Sequence, residues 1–319
     1  VLNKDTAVPH PPVGPLDPDA RVVIDRLNAL NAPGYETMPP KTARAIAAHL
    51  RRNAPFRRVK VGAVREIELA GLGARHYMPF ERAGTAPALV YFHGGGWTLG
   101  DLDTMDHLCR SLVRQAGVDV ISVDYPLSPE SRMAATVAAC AAAVRAVFQA
   151  NLGLDRDRIA VGGDSAGGSL AAVMALMAQD GDVPKLRAQC LIYPALDLGM
   201  SGTATPTMFM RPETMEWFSA NYLGPEGDAG DWRASPLRAR DVSGLPATYV
   251  LTAGHDVLRG QGLDYLERLR QAGVAVVGRD YPGQIHNFVA MPYAIPTAHA
   301  AIADMAEFLV EHLCGHPGA

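Results

Sequence analysis

The sequence predicts an α/β fold: a mostly parallel, eight-stranded sheet flanked by helices, with a helical cap. Three observations carry this. From residue 86 onward, short apolar runs of strand type alternate with longer runs of helical spacing. "APALVYF" is apolar throughout, as expected of a strand covered on both faces. Between "CLIYPALDL" and "GLPATYVL" lie about forty residues with no strand pattern, long for a connection without a function.

The elements follow in order. Residues 1–18, rich in proline, read as an extended arm. "DPDARVVIDRLNAL" has Asp17 as N-cap, Pro18 just inside it, and apolar Val22, Val23, Leu27 and Leu30 at helical spacing. "KTARAIAAHLRR" reads as a second helix. "VKVGAVREIEL" and "ARHYM", joined by "AGLG", read as an antiparallel edge hairpin. "APALVYF", "VDVISVD", "RIAVGG", "AQCLIY", "ATYVLTAG" and "VAVVGRDY" supply the remaining strands. "AATVAACAAAVRAVFQA" and "PTAHAAIADMAEFLVEHL" read as helices. The expected division is cap helices over 1–50, core over 51–196, a cap insertion over 197–235, and core again over 236–319.

Composition narrows the function. Acidic residues number 33 and basic ones 29, giving a formal charge of −4. That balance argues against a nucleic-acid partner. Cys109, Cys140, Cys190 and Cys314 are scattered without a CxxC pair, which predicts reduced, buried thiols and a cytoplasmic setting. The proline-rich start shows no apolar signal segment. No apolar run approaches the ~18 residues of a membrane span.

One short stretch concentrates the chemistry. Gly163-Asp164-Ser165-Ala166-Gly167 is a GxSxG sequence between a strand and a helix, the context of a nucleophile elbow. Such a turn has room only for small residues and holds the Ser165 hydroxyl out at the strand's carboxyl end. The Ala166 N–H, at the helix start, faces the same space as a donor to an anion. A dinucleotide loop would need GxGxxG, which is absent.

A nucleophilic serine needs a base and an orienting acid. His286, in "YPGQIHNF", follows the last strand and so reaches the same sheet edge as Ser165. Asp256, after "ATYVLTAGH", is the expected acid, with Asp197 in "YPALD" as rival. His255 should point elsewhere, since adjacent side chains diverge. Asp264 and Asp280 lie inside a helix and a strand. "HGGGW" follows "APALVYF", and three glycines allow inward-turned amides close to a ligand. Gly95 and Gly96, with Ala166, are the expected oxyanion donors, and Gly94 is a near alternative. His93 is expected to brace this loop. "DLDTMDH" lacks the DxDxDG pattern of a calcium loop and reads as a helix start with acids near its positive end. No metal site is expected.

On these residues the chain resembles the hormone-sensitive lipase family of α/β-hydrolases, the bacterial family IV esterases. His93-Gly94-Gly95-Gly96-Trp97 and Gly163-Asp164-Ser165-Ala166-Gly167-Gly168 match its two signatures, and "GDLDTMDHLCRSL" and "LIYPALD" resemble further family segments. "DYPLSPE" departs from DYRLAPE by carrying Pro126, "DVLRGQG" from DPLRDEG by Gly260 and Gln261, and "IHNF" from HGF by Asn287. The resemblance implies an α/β-hydrolase fold and a serine carboxylesterase acting on short- to medium-chain esters without a cofactor. It implies small-molecule substrates, no stable membrane insertion, and pairing of two copies through the last strand. Trp97, Asp164, Tyr193, Met208, Phe209, Met210, Trp217 and Asn287 are then the expected pocket residues. An amidase or deacetylase with the same triad, a lid-regulated lipase, and a non-catalytic ligand-binding homologue are the alternatives. Related receptors have lost the base histidine that His286 supplies here.

Overall fold

A computed structural model describes residues 10–53, 58–82, 84–199 and 210–315. In chain order its first elements are α1 (Pro18–Ala29), α2 (Pro40–Asn53), β1 (Ala63–Leu69), β2 (Leu72–Met78), β3 (Ala86–Phe92) and α3 (Asp106–Ala116). β4 (Asp119–Val123), α4 (Met133–Gln149), β5 (Leu154–Asp164), α5 (Ala166–Gln179), β6 (Ala188–Ile192) and α6 (Pro212–Leu223) follow. β7 (Ala247–His255), α7 (Arg259–Gln271), β8 (Val276–Ile285) and α8 (Thr297–Leu309) complete the fold.

The two-residue period of a strand builds three layers. In β3, Leu89 and Tyr91 enter one apolar cluster while Val90 and Phe92 enter the other. In β4, Val120 faces one way and Ile121 and Val123 the other. Alternation of this kind, with both faces apolar, requires helices on both sides. Residues of α3 and α8 close one face, and residues of α4, α5 and α7 the other.

Strand order is β1-β2-β4-β3-β5-β6-β7-β8. β1 and β2 form the expected antiparallel hairpin, β2 also pairs antiparallel with β4, and β3 to β8 are parallel to one another. The chain leaves β3 for β4 on one side and returns to β5 on the other. That reversal opens a crevice at the carboxyl ends of β3 and β5, where ligands bind in open α/β sheets. The register places Phe92 beside Gly163, so the glycine loop and the GxSxG turn start side by side.

Four local expectations change. Asp17 stands at the N-terminus of α1 but makes no capping bond; its Oδ2 accepts from Gln284 Nε2 at 2.6 Å. "YPGQI" belongs to β8, not to a loop, because the β7–β8 register shifts between Ala253 and His255 and absorbs Pro282 and Gly283. The last helix ends at Leu309 and continues as a π-turn over Val310–Cys314. Cys109, Cys140 and Cys190 are buried free thiols as expected, whereas Cys314 is exposed.

β8 is the sheet edge, and the arm covers part of it: the Asp17 N–H donates to the Gly283 carbonyl at 2.9 Å. Among the described residues no helix is long and apolar enough to cross a membrane.

Candidate active site

Ser165 sits between β5 and α5 with φ 53° and ψ −119°, a conformation that costs a non-glycine residue strain. The turn is closed by backbone approach. A methyl group on Gly167 would strike the Phe92 carbonyl, and one on Gly163 would strike the Gly167 backbone. Only glycine fits at either place, which is the physical content of the GxSxG pattern.

The register shift in β8 sets His255 opposite Ile285. The next residues, Asp256 and His286, thereby meet at the carboxyl ends of neighbouring strands. His286 Nδ1 lies 2.6 Å from Asp256 Oδ2, and His286 Nε2 lies 3.0 Å from Ser165 Oγ. The second oxygen of Asp256 accepts from the Leu258 N–H at 2.9 Å. All three side chains are buried, at 7%, 4% and 5% exposure for Ser165, Asp256 and His286. The Tyr193 ring packs against the imidazole with centroids 4.7 Å apart.

Asp197 is not at this site. It is buried and paired with Arg238 Nε at 2.9 Å, and its backbone is held by Gln261. His255 turns the other way, with Nε2 3.1 Å from the Gly14 carbonyl.

The glycine loop meets the serine from β3. Gly95, Gly96 and Trp97 have φ of 120°, 57° and 56°. The Gly94 N–H is engaged: it donates to Asp164 Oδ1 at 2.8 Å. Gly94 is therefore excluded as an anion donor. The amides of Gly95, Gly96 and Ala166 have no hydrogen-bond acceptor among the described residues. His93 is fully buried, stacked on Tyr125 at 4.4 Å, with Nδ1 2.8 Å from the Gly94 carbonyl. Burial holds its pKa down at about 4, so it is neutral at pH 7 and braces the loop.

The expected pocket residues divide. Asp164 is a brace instead of a lining residue. One of its oxygens accepts from both the Tyr91 hydroxyl, at 2.7 Å, and the Gly94 amide. Burial raises its pKa to about 6 despite those two bonds. Trp97 is also sealed, at 0% exposure, and stacks on Tyr222 of α6. Tyr193 lies under the imidazole with φ 34°. Met210 is buried, Trp217 half-buried beside Phe218, and Asn287, with φ 66°, half-buried next to the histidine. Met208 and Phe209 lie outside the described residues.

Sequence reasoning missed four residues. Phe218 covers Gly96 so closely that a methyl group there would enter its ring. Tyr222, four residues on, receives Trp97; the i,i+4 spacing of these aromatics was a readable signal. Arg44 and Gln261 act through long-range polar contacts that leave no local pattern. The acids of "DLDTMDH" pair with arginines: Asp101 with Arg51 at 2.6 Å, Asp103 with Arg75 at 2.8 Å and Asp106 with Arg110 at 2.8 Å. No cluster of metal-ligating side chains occurs among the described residues.

A buried serine, histidine and aspartate stand in a hydrogen-bonded line beside amides without an acceptor among the described residues, an arrangement chemically able to carry out nucleophilic acyl transfer. The family described as alpha/beta hydrolase fold matches residues 89–290. The carboxylic ester hydrolase LipN of Mycobacterium tuberculosis is 42% identical over 68% of this chain, and the match spans 60% of LipN's own length. The carboxylesterase NlhH of the same species is 38% identical over 73% of this chain and 76% of its own. The ester-hydrolase EH1AB1 from the Lake Arreo metagenome, solved with a derivative of bipyridine phosphonate, superposes with a TM-score of 0.89. It is 34% identical, over 93% of this chain and 99% of that one. The chain belongs to the α/β-hydrolase family, among its hormone-sensitive-lipase-like carboxylic ester hydrolases.

Proposed function

We propose that this chain hydrolyses small carboxylic esters through an acyl-enzyme on Ser165. The observation that carries the reading is the position of His286, 3.0 Å from the serine hydroxyl and 2.6 Å from Asp256. His286 Nε2 takes the Ser165 proton as Oγ attacks the ester carbonyl. The negative charge that develops on the carbonyl oxygen falls to the amides of Gly95, Gly96 and Ala166; loss of one such donor typically costs about 3 kcal/mol of barrier. The imidazolium, stabilised by Asp256, then protonates the departing alcohol. Water repeats the steps in reverse and frees the acid. Asp256 keeps Nδ1 protonated and the ring oriented.

We assign residues 1–50 and 197–235 to the cap; of their described parts, α2 and α6 pack on the glycine loop. Phe218 over Gly96 and Tyr222 over Trp97 bring α6 down onto the glycine loop, which supports short to medium acyl chains. The amino-terminal half of β8 is the strand edge through which two copies would pair.

The test is turnover of p-nitrophenyl esters from acetate to decanoate, with matching anilides. Ser165→Ala should lose at least about 10³-fold in kcat, and an organophosphonate should add its mass to the native chain but not to the variant. Near-normal turnover by the variant refutes the assignment. Faster anilide than ester hydrolysis would make the chain an amidase.

A further inference from the structure

We infer that Arg44, on α2, is a positioning residue for the amides of Gly95 and Gly96. The inference rests on the reading above, in which those amides hold the oxyanion. Gly95, Gly96 and Trp97 form an unbroken run at positive φ. Trp97 is strained there and persists only where its surroundings over-determine it, and the two glycines, free of that strain, keep one shape only if held. Within the loop, the N–H groups of Thr98 and Leu99 both donate to the Gly95 carbonyl, at 3.1 and 2.8 Å. From outside, the Ser128 N–H donates to the Trp97 carbonyl at 2.8 Å.

A further outside hold comes from α2. Arg44 Nε donates to the Thr98 carbonyl at 2.7 Å and Nη2 to the Ser128 carbonyl at 2.6 Å. Nη1 and Nη2 also reach the two Glu130 oxygens at 2.9 and 2.7 Å. One planar guanidinium thus joins the end of the glycine loop to the segment that grips its middle. The Glu130 side chain is 65% exposed, so the ion pair itself adds little to stability. The directional bonds to the two carbonyls are what matter here. A lysine cannot reproduce them, because its ammonium lacks the fixed fork. Arg44 does not touch substrate; it acts by keeping the donors where the charge develops.

The test compares Arg44→Ala and Arg44→Lys with wild type in the full chain, on p-nitrophenyl butyrate. Arg44→Ala should lower kcat about tenfold or more with KM within about twofold, the split expected for an interaction made only in the transition state. Arg44→Lys should recover less than half of the loss, and added guanidinium should partly restore Arg44→Ala. Wild-type kcat in both variants, or a loss confined to KM, overturns the inference. Should Arg44→Ala fail to fold, Arg44→Lys decides by the same split. Retained turnover in Ser165→Ala would instead sink the esterase reading itself, so the two failures are distinguishable.

Discussion

The indole of Trp97 lies flat on the phenol ring of Tyr222, with centroids 4.3 Å apart and planes 8° from parallel. This stack joins the glycine loop to α6 through buried aromatic surface. The Tyr222 hydroxyl is buried without a hydrogen-bond partner among the described residues. Tyr222→Phe should therefore be neutral or stabilising by up to about 1 kcal/mol. Tyr222→Ala should cost about 3–5 kcal/mol through the cavity it leaves, and it should lower kcat as the loop loosens. Urea unfolding of the two variants checks the contrast; equal losses would show that the hydroxyl has a partner after all.

The two candidate acids make opposite predictions. Asp256 meets His286, whereas Asp197 is engaged by Arg238. Asp256→Asn should reduce kcat by about 10⁴, the scale of losing the acceptor that sets the histidine tautomer. Asp197→Asn should leave kcat within a few-fold and lower thermal stability. Steady-state kinetics and melting curves of the pair suffice, and a reversed pattern would reassign the acid.

Asp164 predicts a pH effect on stability. Its pKa is raised to about 6 in the fold, chiefly by burial, against an ordinary value of 3.8. Between these values the folded protein binds a proton that the unfolded chain does not. The stability this contributes is present below about pH 4 and lost as pH rises through about 6, roughly 3 kcal/mol in all. Asp164→Asn keeps an acceptor for Tyr91 and Gly94 but cannot ionise. The stability difference between variant and wild type should grow in the variant's favour from pH 4 to 7, measured by denaturant titration. A constant difference would mean that Asp164 does not titrate there.

Gln261 binds three backbone groups at once. Its Oε1 accepts from the Leu196 and Asp197 amides at 2.8 and 2.9 Å, and its Nε2 donates to the Asp197 carbonyl at 2.9 Å. Gln261→Glu keeps the two accepted bonds but sets a carboxylate oxygen against a carbonyl. We expect a loss of about 1–3 kcal/mol at pH 7.5. The substituted carboxyl should have a raised pKa, so stability should recover as pH falls to 5 and the protonated oxygen donates instead. Unfolding at the two pH values tests this, and an equal loss at both would refute it.

Much of the architecture was legible because its signals are local. Strand and helix periods repeat within a few residues, and they located β3 and α4 closely. The GxSxG turn was legible because glycine is the one residue that fits against Phe92 and the helix backbone. Asp256 and His286 could be chosen because parallel strands deliver their following loops to one edge. The end of β8 was misread, because proline and glycine mark turns in most contexts and here lie at a register shift. Asp164 and Trp97 were expected to line the pocket, yet both are buried braces, since whether a side chain faces a cavity depends on what packs against it.

By itself the sequence determined the layering, the strained serine and the residue types able to attack, shuttle a proton and orient. These follow from short-range sterics and chemical identity, which neighbouring residues carry with them. Only the tertiary structure decided which acid meets the histidine, which glycine amides find no acceptor among the described residues, and that Arg44 and Tyr222 hold the loop from outside. Those outcomes depend on contacts between segments far apart in the chain. Hydrogen-bond geometry at 2.6–3.0 Å is set by how whole elements pack, and no local pattern encodes that.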